Sequence, residues 1–199
     1  MSAPTTHPHT VNDRSQLERI YLTYKARVAA ECRMHRLAFW SQILIAWYSI
    51  AIIIVSLADI STFYGVNDGG VATTSLSVLV LTASVFVYSQ RFELRAASFR
   101  ECYLKLQELY DSTEHPEIIL KKYHDILIPF ENHSNFDYDS VLLSAKVRGT
   151  HLIDAHGPIK FEGWALALHM GRIVLNYAIF IALASIPIIL FLVTIAPES

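Results

Sequence analysis

Charge is scarce in this sequence: Asp, Glu, Lys and Arg account for 17% of its 199 residues, where a soluble domain of that length carries about 25%. Cysteine is scarcer still. Cys32 and Cys102 are the only two, which excludes a disulfide framework and points to a reduced pair. Structural zinc would require further thiols or imidazoles at close spacing. No Ser-His-Asp elbow, Walker loop, HExxH motif or dinucleotide fingerprint occurs, so nothing points to an enzyme or a cofactor. The first 36 residues are polar and contain no apolar h-region. The expectation is therefore no cleavable signal, with the first hydrophobic helix serving for insertion.

What replaces the missing charge is concentrated in three apolar blocks within a chain that is 53% hydrophobic. Residues 38–58, AFWSQILIAWYSIAIIIVSLA, carry no charge and are long enough for a ~30 Å hydrocarbon core at ~1.5 Å per residue. Their ten Ile, Leu, Val and Phe residues contribute roughly −3 to −6 kcal/mol to insertion. Residues 71–90 form a weaker span, rich in Ser and Thr. They follow the first after a turn-prone stretch, Ser61 to Gly70, as expected for a helical hairpin. Residues 173–196 form the third span, and Pro187 within it predicts a kink.

The distribution of basic residues orients the spans. Arg14, Arg19, Lys25, Arg27, Arg33 and Arg36 precede the first, and the other ten lie between the second and third, which accounts for all 16. The hairpin loop and the C-terminal tail hold only Asp59, Asp68 and Glu198. The positive-inside rule then predicts a cytoplasmic N-terminus and a periplasmic or extracellular C-terminus.

The remaining sequence reads as helix on the inner side. After a tail over 1–14, residues from Ser15 run without Pro or Gly directly into the first span. Beyond Gln90 the helix continues without a breaker, and 91–112 carry an apolar stripe at Phe92, Ala96, Phe99, Tyr103, Leu106 and Tyr110. This predicts one long second helix extending into the cytosol. A further helix over 116–129 starts with Pro116 at its first position, with Ile118, Ile119, Tyr123 and Ile126 facing inward. Asn132 to Tyr138 reads as a loop, and Asp139 to Lys146 as a short helix. Residues 139–172 serve as linker and pre-membrane segment. The fold class is thus an all-α membrane protein, with a transmembrane hairpin, a small helical cytoplasmic region and a C-terminal third span. So small a region suggests a helical collar completed by homo-oligomerisation.

Polar positions inside the spans repeat at seven residues. Gln42, Ser49 and Ser56 share one face of the first span, and Ser75, Thr82 and Ser89 one face of the second. Thr73, Ser77 and Ser84 occupy nearly the opposite face. Such stripes suit close helix packing or the lining of a pore in an oligomer. At the inner mouth of the second span, Arg91, Arg95 and Arg100 either snorkel to lipid head groups or form an anion site. His151, Asp154 and His156, with His133 and Asp137 nearby in sequence, could be taken for a metal or acid–base site, but an irregular polar linker is the better reading. No metal site and no direct nucleic-acid binding are expected.

Several segments together resemble the SLATT domain family. These are Lys25-Ala-Arg27 through Arg33-Met-His-Arg36 before the first span, the hairpin with its short outer loop, and Phe92-Glu-Leu-Arg-Ala96. Phe99-Arg-Glu-Cys-Tyr103, Leu106-Gln-Glu-Leu-Tyr110 and Glu131-Asn-His-Ser134 with Asp137-Tyr138 complete the pattern. The resemblance covers about residues 21–138, and the third span is similar to a subset of the family with an added C-terminal membrane helix. It implies a bacterial inner-membrane effector of nucleotide-signalling and anti-phage systems. Such an effector oligomerises and permeabilises the membrane in abortive infection, when a separate sensor protein or cyclic nucleotide triggers it. The resemblance also places Asn132, His133 and Tyr138 in the family's loop pattern, for which a capping or packing role is the alternative. His133 stands with Arg91, Arg95 and Arg100 as an anion or ligand candidate.

Overall fold

Helix-forming sequence without internal breakers produces very long helices, and the computed structural model shows them. It describes residues 11–57, 69–149, 153–154, 157–158 and 163–195. Helix α1 spans Val11–Leu57, α2 Gly69–Ser89, α3 Phe92–Tyr110, α4 Pro116–Leu127, α5 Asn135–Val147 and α6 Gly163–Ile195. Two short strands, β1 (Ile153–Asp154) and β2 (Gly157–Pro158), pair antiparallel between α5 and α6. The all-α architecture expected from the sequence is present. The turn over Ser61 to Asp68, most of the N-terminal tail with His7 and His9, and His151 and His156 lie outside the described residues.

Among the described residues, three helical stretches are long and apolar enough to cross a membrane, Gln16–Ser56, Thr73–Tyr110 and Leu166–Ile189. The first is a single helix of 47 residues, so the polar segment from Ser15 does run straight into the span, and the helix starts at Val11. The second differs from expectation. The last turn of α2 closes with Gln90 and Arg91 N–H groups bonded to Val87 and Tyr88 carbonyls at 3.2 Å. Arg91 then adopts a left-handed backbone, φ 49°, before α3 begins. The long second helix is therefore broken at one residue, without glycine or proline. Pro187 lies inside an uninterrupted α6.

The chain divides into two compact units. The first comprises residues 1–34 and 94–169. Its core consists of Ile20, Leu22, Ala26, Ala30 and Met34 from α1, Ala96, Phe99, Cys102, Leu106 and Leu109 from α3, and Ile119 and Tyr123 from α4. The buried stripe of α3 is rotated from the expected one. Cys102 and Leu109 are inside, Tyr103 is half-buried and Tyr110 is exposed. On α4, Ile118 is exposed while Ile119 and Tyr123 are buried. Edge-on Tyr24 and Tyr103 rings, 5.9 Å apart, join α1 to α3, and a 2.9 Å hydrogen bond between Thr23 and Tyr123 hydroxyls joins α1 to α4.

The second unit comprises residues 35–93 and 170–199. Its helices expose large apolar side chains such as Ile53, Leu79, Phe86 and Ile181, as lipid-facing surfaces should. From Thr73 to Ser89, one side of α2 (Thr73, Leu76, Val80, Ser84 and Val87) is half-buried and the other residues are exposed.

Candidate functional site

Within the first unit, the connection between α4 and α5 is held against α1 by two arginines. Arg27 is 2% exposed and donates through Nη1 to the Glu131 main-chain carbonyl. Its guanidinium lies over the Phe99 ring at 5.7 Å, a cation–π arrangement suited to a buried cation. From α3, Arg95 forks onto the Glu131 carboxylate, with Nε to Oε2 at 2.9 Å and Nη2 to Oε1. Glu131 is thus held at its backbone by one helix and at its side chain by another.

Six residues beyond Arg27 in α1, Arg33 makes a two-pronged contact with Asp137, Nε to Oδ1 at 2.8 Å and Nη2 to Oδ2 at 3.0 Å. Asp137 is 1% exposed and also closes the N-terminus of α5. Its Oδ2 accepts from Ser134 N–H at 3.0 Å and Ser134 Oγ at 2.7 Å, and the Asp137 N–H donates back to Ser134 Oγ at 3.3 Å. This is a reciprocal capping box. Burial alone would raise the carboxyl's pKa, but the hydrogen bonds from Arg33 and Ser134 outweigh it and hold Asp137 below the usual carboxylate range.

Between these anchors, His133 stacks on Tyr138 with ring centroids 6.3 Å apart. Burial, reinforced by the charge of Arg27, lowers its pKa against the opposing pull of Asp137. The imidazole is therefore neutral at neutral pH, and its Nδ1 is buried without a hydrogen-bond partner, as is Arg27 Nε. Burial pushes the Cys102 thiol up, against the charge and hydrogen bond of Arg27, so this cysteine is a poor thiolate nucleophile. On α6, His169 is buried, stacked on Phe136 at 4.4 Å, with Nε2 3.4 Å from Ser140 Oγ.

The structure separates the residues picked out from sequence. Arg95 is engaged by Glu131, Arg100 is exposed on α3, and exposed Arg91 occupies the helix break. Ser75, Thr82 and Ser89 all lie on the exposed side of α2, opposite the half-buried side that carries Thr73 and Ser84. Ser77 is exposed. On α1, Gln42 and Ser56 are exposed and Ser49 is half-buried. Several hydroxyls donate to their own helix: Ser49 to Ile45, Thr82 to Val78 and Ser89 to Phe86, at 2.7–2.8 Å. Asp154 sits in β1, paired with Gly157. Among the described residues no group of three or more His, Cys, Asp or Glu side chains is placed to hold a metal.

Sequence reasoning missed the roles of Arg27, Arg33, Glu131 and Asp137 as anchors, and that of His169. One signal was readable. Ser134-Asn-Phe-Asp137 has the spacing of a capping box, so α5 starts at Asn135 rather than Asp139, and the stretch read as a loop is largely its first turn.

Residues 12–193 match the model of the SMODS and SLOG-associating 2TM effector domain family 5. No curated protein and no solved structure matches the chain. The chain belongs to that family, whose members are membrane effector domains associated with nucleotide-signalling and anti-phage systems. The match runs through α6, so the third apolar helix lies within the matched region. The segment on which the resemblance partly rests gains a physical reading here, since Glu131, Ser134 and Asp137 fasten the start of α5 and the turn before it to α1 and α3.

Proposed function

We propose that this membrane effector acts in anti-phage defence by oligomerising in the bacterial inner membrane. It then opens a pore or lesion when a separate sensor protein or nucleotide signal arrives. The observation that carries this reading is the placement of Ser75, Thr82 and Ser89. They form a polar line on the side of α2 facing away from the rest of its unit, where a lone subunit in lipid has no use for it. A hydroxyl that donates to its own helix, as those of Thr82 and Ser89 do, keeps an acceptor lone pair for water, an ion or a neighbouring subunit. All 16 basic residues flank the spans on one side, which supports a cytoplasmic N-terminus and a signal received there.

The test is expression with the native neighbouring genes under phage challenge, with membrane potential followed by a voltage-sensitive dye. The wild-type chain should depolarise the cells, and the Ser75→Leu, Thr82→Leu, Ser89→Leu variant, still inserted at normal level, should not. Full depolarisation by that variant removes the pore-lining assignment. A second reading, a non-conducting membrane scaffold, is favoured by the fact that the Thr82 and Ser89 hydroxyls already donate within their own helix. It prevails if the activated oligomer, purified into liposomes, releases neither dye nor ions.

A further inference from the structure

Proline within a membrane helix creates a specific vacancy. Pro187 has no N–H, so the carbonyl four residues earlier, that of Leu183, loses its helical donor. In hydrocarbon no water replaces it, and an unpaired carbonyl is costly. Here the missing donor comes from the first span. The Tyr48 hydroxyl donates to the Leu183 carbonyl at 2.8 Å, and the Trp47 indole Nε1–H donates to the adjacent Ala184 carbonyl at 3.0 Å. Two turns before Tyr48, Trp40 packs edge-on against Phe180 of α6, centroids 4.8 Å apart. Three aromatic residues of α1 thus meet the two turns of α6 that precede the proline. The polar residues Gln42, Ser49 and Ser56 follow a different line along α1, offset from Trp40 and Trp47 by most of a half-turn.

We propose that Tyr48 and Trp47, acting on carbonyls at the Pro187 turn, form a donor clamp that fixes the third span to the first inside the membrane. The proline supplies the open acceptor and the tyrosine hydroxyl fills it, so α1 and α6 behave as one body within their unit. The clamp accounts for a proline in a span that is otherwise an unbroken helix. The site needs no ligand and does not depend on the proposed pore.

A double-mutant cycle on the purified full-length chain in detergent tests the clamp by thermal unfolding. Tyr48→Phe keeps the ring and removes only the hydroxyl, and should lower Tm by about 2–4 °C. Pro187→Ala returns an N–H to the Leu183 carbonyl. In that background Tyr48→Phe should lower Tm by less than a third as much. Equal shifts in both backgrounds, or none in either, overturn the proposal, because ring packing would then explain the contact. If the Pro187→Ala chain is not recovered, Pro187→Leu restores the same N–H and is read in the same way. The measurement uses neither phage nor trigger, so its failure and the failure of the pore reading are separate results.

Discussion

The two units differ in which polar contacts join their distant segments. In the first, polar contacts reach across the chain. Arg33 meets Asp137, and Arg27 meets Glu131, each 104 residues away, and Thr23 meets Tyr123 at a distance of 100. In the second, Ser49, Ser77, Thr82, Ser84, Ser89 and Ser185 each donate to a carbonyl three or four residues earlier. Hydroxyls that donate to their own helix occur in the first unit too, as at Ser112, Ser140 and Ser144, so what sets that unit apart is its arginine–carboxylate contacts. Those are two-pronged and partly buried, which holds them against competing solvent. In a span the nearest carbonyl takes the hydroxyl. Longer-range polar contacts of the second unit include those of Trp47 and Tyr48 and the His35–Glu93 pair.

The largest effect should come from Asp137→Ala, which strips both Arg33 and the Ser134 cap of their partner. Breaking a buried pair costs roughly 3–5 kcal/mol, and about 2–4 is expected here because Arg33 remains 25% exposed. Unfolding of the purified chain in detergent measures it, and a loss under about 0.5 kcal/mol would erase the contrast between the units.

Acidification should weaken the first unit in two stages. Both His133 and Asp137 have depressed pKa values in the folded chain, so each contributes stability above its unfolded pKa. That stability is lost as pH falls toward the folded value, because the unfolded chain takes up the proton first. The His133 contribution starts to fade below about pH 6.5 and that of Asp137 below about pH 3.9. A Tm-against-pH profile should show the upper stage, and His133→Gln should flatten it. An unchanged profile in that variant would mean that the imidazole is not desolvated as described.

Ser134→Ala should cost about 1 kcal/mol, the usual value of an N-cap, because the Asp137–Arg33 contact survives it. The smallest effect belongs to the second unit. Ser84→Ala removes a hydroxyl that donates to the Val80 carbonyl of its own helix at 2.7 Å and should change stability by less than about 0.5 kcal/mol. A larger loss would show that the hydroxyl acts between helices, and would sharpen the comparison against us.

The spans, the N-terminal run into the first of them, and the start of α4 at Pro116 were legible because each is signalled locally, by apolar length, by the absence of breakers or by a residue that fits one helical position. The seven-residue spacing of Ser75, Thr82 and Ser89 was equally local and placed them on one side of α2. Which side packs was not local, since Thr73 and Ser84 offer the same chemistry half a turn away. Burial of Arg27 was also illegible. An arginine on an amphipathic helix reads as a surface residue until Phe99 and Glu131 arrive from distant parts of the chain to enclose it. Pro187 was visible, but the hydroxyl that answers its open carbonyl lies 135 residues away.

The break at Arg91 has a consequence for how this chain can tolerate change. Along a continuous helix each residue fixes the direction of those after it, by about 100° per step. Helix α1 carries that phase without interruption from Val11 to Leu57, so one residue inserted near Met34 would turn every later position of α1 by that angle. The left-handed backbone of Arg91, at a cost of roughly 1 kcal/mol, ends the propagation between α2 and α3. A residue gained or lost beside Gln90 therefore meets a slip coupling, where the same change in α1 meets a gear.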